Sequence, residues 1–100
     1  MNDYIFLMHN DVSPENSLGT DAAWSEYISG FRTAGRFGGG SSIGHGVCVR
    51  KDGQESAITV KLGGYITVQA KSLEEASKLL VGNPVFEAGG TVEVRELPRE

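Results

Sequence analysis

The chain has 100 residues, a common size for one domain, with 39% hydrophobic and 22% charged residues, which excludes a disordered composition and leaves no membrane span. A net charge of -4 argues against a basic nucleic-acid footprint and against an anionic membrane surface as partner. Cys48 is the only cysteine, so a disulfide framework is excluded; with no signal-peptide pattern around the short apolar run at residues 4–8, the expected compartment is the cytoplasm.

The segment Asp3-Tyr4-Ile5-Phe6-Leu7-Met8-His9 reads as a buried strand, because it is short, aromatic and β-branched. Asn10, Asp11, Ser13 and Pro14 then break it, and residues 10–19 are expected to form a polar loop. From Asp21 the period becomes helical: Ala23, Trp24, Tyr27, Ile28, Phe31 and Ala34 share one face. Thr20 or Asp21 can cap this helix at its start, and Gly35 at its end. Gly30 inside it costs roughly 1 kcal/mol relative to alanine, so a close neighbour is expected there.

Residues 36–46 carry Gly38, Gly39, Gly40, Gly44 and Gly46 and read either as a flexible loop or as a bent, glycine-broken strand. Asp52-Gly53 between residues 47–51 and the alternating residues 58–62 signals a hairpin, with Gly63-Gly64 ending that arm. Ile66, Val68 and Ala70 define the inward face of a further strand, with Tyr65 on the opposite side. Ser72 and Glu75 make a capping box for a short helix with Leu73, Ala76, Leu79 and Leu80 as its apolar stripe. Gly82 closes it, Asn83-Pro84 forbids continuation, and residues 91–97 form the last strand with Val92 and Val94 inward. The order β-α-β-(hairpin)-β-α-β predicts a single α+β domain, a ferredoxin-like βαββαβ sandwich with an extra β-hairpin arm. The first strand is apolar on both faces, which predicts a homodimer with two sheets face to face.

Three segments together carry a family resemblance. Tyr4-Ile5-Phe6-Leu7-Met8-His9-Asn10-Asp11 is similar to the opening strand of YCII-related proteins. Leu62-Gly63-Gly64-Tyr65-Ile66-Thr67-Val68 resembles a strand of the branch named for its DGPF motif, and residues 83–95 resemble the family's last turn and strand. The resemblance implies a cytoplasmic, dimeric α–β barrel. The DGPF motif is absent, and the arm in its place reads Glu55-Ser56-Ala57-Ile58-Thr59-Val60-Lys61. The family's founding branch pairs a histidine of the first helix with an aspartate. Asp11 matches that aspartate, whereas Trp24 or Tyr27 stands near the histidine position.

His9 and Asp11 are the candidate catalytic residues. A period of two places both on one face if the strand extends that far, and a carboxylate beside an imidazole orients the tautomer that a general base needs. The competing reading is that Asp11 closes a turn and His9 lines the groove of the dimer. His45 lies between Gly44 and Gly46, where backbone N–H groups could approach an anion, but neither a dinucleotide fingerprint nor a P-loop is present. His9, Asp11 and His45 lack metal-ligand spacing, so no metal and no cofactor is expected. Trp24 and Phe31, seven apart, are core or the wall of a ligand groove, and Asn83 joins them and His45 as a ligand-binding candidate. Arg32 and Arg36 suit the end of the first helix, with solvated surface as the default and an acidic ligand as the alternative. Cys48 reads as a packing residue rather than a nucleophile.

Two functions follow. One is a small-molecule enzyme of lyase or isomerase type. His9 would accept a proton, Asp11 would orient it, and Trp24 and Phe31 would wall an apolar or aromatic substrate. The alternative is a non-catalytic ligand-binding or interaction module. Neither nucleic acid nor a membrane is an expected partner.

Overall fold

In the computed structural model, which describes residues 1–12, 21–58 and 60–98, β1 (Asn2–His9) is the strand around which the fold is organised. Helix α1 (Asp21–Thr33), β2 (Phe37–Ser42), β3 (Cys48–Val49) and β4 (Glu55–Ser56) follow. Then come β5 (Leu62–Ala70), α2 (Leu73–Lys78), α3 (Pro84–Glu87) and β6 (Val92–Leu97). The expected Ser13–Pro14 break and the Thr20 cap lie outside the described residues, as does Thr59.

The main sheet runs β2-β5-β1-β6 with every neighbouring pair antiparallel, the strand order of a ferredoxin-like α+β fold. The short strands β3 and β4 pair with each other as a separate hairpin. Alternation along β1 buries Tyr4, Phe6 and Met8, while Ile5, Leu7 and His9 are half-buried on the other face. In β5 the buried set is Gly64, Ile66, Val68 and Ala70. Phe31 from α1, with Ala76 and Leu80 from α2 and the turn after it, completes the core on the helix side. The apolar area removed from water on this one face is the main favourable contribution to folding.

Local chemistry explains the element ends. Gly35 adopts φ +70°, and the Arg36 N–H bonds Phe31 O at 2.8 Å, which terminates α1 in a Schellman turn. Ser72 Oγ accepts from Glu75 N at 3.1 Å; Glu75 reaches back one residue further than expected, accepting from Lys71 N. Asn83 does more than stop a helix. Its Oδ1 accepts from Val85 N and Phe86 N, capping α3 with Pro84 in the first turn.

Four expectations are corrected. The alternating run does not continue the hairpin: Ile58 and Val60 are exposed outside any strand, Leu62 begins β5, and the hairpin partner is only Glu55–Ser56. Gly63 and Gly64 do not end an arm but lie inside β5, because β2 passes close by. A Cβ on Gly64 would lie 3.0 Å from Ser41 O. Leu73, at the first turn of α2, is 53% exposed rather than part of the apolar stripe. Gly30 meets nothing within 4 Å, so no neighbour requires it.

Candidate functional site

A cleft of about 690 Å³ opens between α1 and α3 on one side and the end of the sheet on the other. β1 brings Met8 and His9 to its floor, the bend after it adds Asn10, and β5 brings Gly64, Tyr65 and Ile66. Residues 39–42 of β2 form one side, and Pro84, Val85 and Ala88 face them from α3 and its end. The glycines of β2 matter here. A Cβ on Gly40 would lie 2.5 Å from Tyr65 O and 2.7 Å from Ile66 Cγ2, so only glycine lets this edge strand lie flat against β5.

The apolar face of α1 divides at the cleft. Tyr27 and Phe31 turn to the core and stack edge-on at 4.8 Å, while Trp24, Ile28 and Arg32, four apart in succession, line the cleft. Trp24 sits at the border and meets Tyr27 edge-on at 6.1 Å. Tyr27 donates its hydroxyl to Leu79 O at 2.8 Å, and burial pushes its pKa up to about 12, so it stays a donor that ties α1 to the end of α2.

The two candidate catalytic residues do not pair. β1 ends at His9, and the chain bends before Asp11, so a period of two no longer applies. Asp11 instead accepts from Thr91 N at 2.9 Å and from Thr91 Oγ1 at 2.7 Å. With His9 N–H donating to Thr91 O, these bonds fasten the end of β1 to the start of β6. The imidazole has a partner that sequence spacing did not reveal: His9 Nε2 lies 3.4 Å from Glu93 Oε1. Glu93 opposes Leu7 in the β1–β6 register, so the His9 ring is carried toward the sheet face that the helices leave free. The ladder also steps from Met8↔Gly64 to His9↔Leu62, a bulge that alters the direction of the strand at the cleft floor.

The hydrogen bonds from Thr91 hold the Asp11 carboxyl below its ordinary value of 3.8. A depressed carboxylate pKa means that its stabilising effect is complete above the unfolded value and is lost as pH falls through the folded one. Acidifying the protein below about pH 4 should therefore release this clasp. We expect Asp11→Asn to lower the melting temperature at neutral pH and to flatten its dependence on pH below that point. An Asp11→Asn protein that matches the wild type at every pH would contradict the clasp.

Of the ligand-binding candidates, Trp24 lines the cleft and the others do not. Phe31 is core, at 7% exposure, and Asn83 is fully buried as a helix cap. His45 is exposed, because the chain leaves the sheet after Ser42 and carries it beyond the cleft. Among the described residues no group of three or more His, Cys, Asp and Glu side chains comes together as a metal site. No helix among the described residues is long and apolar enough to cross a membrane. Sequence reasoning missed Ile28 as a cleft residue and left Arg32 as solvated surface by default, with an acidic ligand as the alternative. The four-residue spacing from Trp24 was the available signal, but only the position of α3 shows which half of the α1 face stays open.

Comparison with known proteins bears on this geometry. The profile of the YCII-related domain matches residues 2–99. Among solved structures, the chain is similar to the 5-chloro-2-hydroxyhydroquinone dehydrochlorinase of Burkholderia phenoliruptrix AC1100 in complex with 2,5-dihydroxybenzoquinone. The TM-score is 0.62 at 16% identity, covering 100% of this chain and 96% of that one. No curated protein matches the sequence.

Proposed function

The chain belongs to the YCII-related family, and from that membership and the shape of its cleft we propose a homodimeric protein that binds a small ring compound between α1, α3 and the end of the sheet. The observation that carries this reading is an apolar cleft of about 690 Å³ in a chain of 100 residues. A cavity of that size holds a small organic molecule. The similar dehydrochlorinase is described with a dihydroxybenzoquinone, a ligand of this class. His9 and Glu93 meet on the sheet face away from the helices, so acid–base chemistry of lyase or isomerase type does not reach a ring in this cleft through His9, and Asp11 fixes the end of the strand. Where the family has its helix histidine, Trp24 or Tyr27 stands instead, which favours binding without turnover as the second reading.

The homodimer rests on two features. The sheet face away from the helices presents Ile5, Leu7 and Tyr65, the hairpin arm exposes Val47 and Val49 to 58% and 68%, and Val60 beyond it is exposed to 47%. Apolar surface of this kind calls for a partner, and a second copy meeting it sheet to sheet would bury more than roughly 1,000 Å². Sedimentation should show a dimer at micromolar concentration, and a stable monomer would overturn that part of the reading.

The cleft reading is tested with chlorinated and hydroxylated benzenes. Trp24 is the only tryptophan, so its emission reports occupancy of the cleft directly. Binding should perturb that emission, and release of chloride would mark turnover. His9→Ala should stay folded and leave ring binding in the cleft unchanged, because its side chain meets Glu93 on the other face of the sheet. Binding with no turnover in the wild type supports the second reading. No binding by any member of the panel contradicts both.

A further inference from the structure

The cleft wall has an uneven charge. The chain carries 13 acidic and nine basic residues, yet among the described residues no carboxylate lines the cleft. Arg32 is its one permanently charged side chain among them. The neighbouring arginine is already satisfied, because Arg36 Nη1 lies 2.9 Å from Glu75 Oε1. Arg95 likewise meets Glu93. Arg32 has no carboxylate within ion-pair distance among the described residues; its guanidinium lies 5.1 Å from the centre of the Phe37 ring, another cleft residue.

That contact has a physical consequence. Stacking over Phe37 steadies the guanidinium at the mouth of the cleft while leaving its in-plane N–H donors unengaged by the ring. A planar fork of donors matches a carboxylate or a phenolate oxygen. The surrounding wall of Trp24, Ile28 and Phe37 takes an aromatic ring but contributes no counter-charge. In a protein of net charge -4, a cleft whose described lining holds no carboxylate and whose arginine pairs with no described carboxylate selects for negative charge.

From this arrangement we infer that the cleft takes an aromatic monoanion, with the ring against Trp24 and the charged oxygen on Arg32, and that Arg32 determines this specificity. The inference rests on the cleft being the ligand site proposed above. It goes beyond that reading by fixing the charge of the ligand and the residue that recognises it.

The test compares two probes of nearly equal shape, 3-chlorobenzoate and neutral 3-chlorobenzamide, by titration of Trp24 emission against the intact protein. The anion should bind about tenfold more tightly, a modest factor because Arg32 is exposed, and added salt should weaken it selectively. Arg32→Met should bring the benzoate down to the affinity of the amide. Arg32→Lys should restore part of the preference, since the charge remains and the fork does not. Equal affinities for both probes in the wild type would overturn the role of Arg32 while leaving the cleft reading intact. Failure of both probes to bind would overturn the cleft reading and this inference with it.

Discussion

Replacing Phe6 by alanine is expected to cost about 3–5 kcal/mol of folding stability, the range for truncating a large aromatic side chain in a packed core. Phe6 is fully buried on β1, the strand that pairs with both β5 and β6, and it stands opposite Ile66 and Val94 in the two registers. No other described element can move in to fill the space without breaking those ladders. Since a domain of this size has a net stability of roughly 5–15 kcal/mol, the variant should be close to unfolded at 37 °C. Urea unfolding should show a lower midpoint with an unchanged slope. Leu7→Ala, one residue along and on the opposite face, should cost less in folding and weaken the proposed self-association instead. A loss below about 1 kcal/mol in Phe6→Ala would show that the core is centred elsewhere.

The second large effect is expected at Gly40. A Cβ there meets the Tyr65 carbonyl oxygen and the Ile66 side chain of β5 at distances no real contact tolerates. One of these is backbone and cannot swing aside, so Gly40→Ala must push β2 away from β5. Overpacking of this kind costs about 1–3 kcal/mol. Because β2 is an edge strand, the damage should be local: the sheet persists, but the β2 side of the cleft shifts and ligand affinity falls. Gly44→Ala is the control, since nothing lies within 4 Å of a Cβ there. Its stability should stay within about 0.5 kcal/mol of the wild type. Comparable losses in the two variants would mean that chain flexibility, and not the close approach of β5, requires glycine in this stretch.

Those two positions also show what sequence patterns could and could not reveal. Phe6 was legible because alternation along a short apolar strand needs no knowledge of its partners. The helical face from Trp24 to Phe31, the hairpin turn at Asp52-Gly53 and the capping pair Ser72 and Glu75 were legible for the same reason: each is a local rule. The glycines of β2 and β5 were ambiguous, since a glycine that relieves a close approach and one that ends a strand look alike until the neighbour is known. Alternation at Ile58 and Val60 imitated a strand where neither residue lies in one.

The site was harder to read than the fold. His9 and Asp11 are two apart, but the strand stops between them, and their partners, Glu93 and Thr91, lie 84 and 80 residues away. Such pairings are set by the register of β1 with β6, which no local pattern encodes. Asn83 looked like a ligand residue because it is polar and beside a proline; it is buried because α3 needs its oxygen as a cap. Trp24 was found because aromatic side chains on a helix face must border something apolar, whether core or cleft.

The central claim is that the ligand site is the cleft between α1, α3 and the end of the sheet, not the groove between two sheets of a dimer. A crystal structure of the protein with 3-chlorobenzoate tests it most directly. The account predicts the ring against Trp24 and Ile28 with its carboxylate on Arg32. A ring bound instead on the Ile5 and Leu7 face, with the cleft filled by protein, would contradict it.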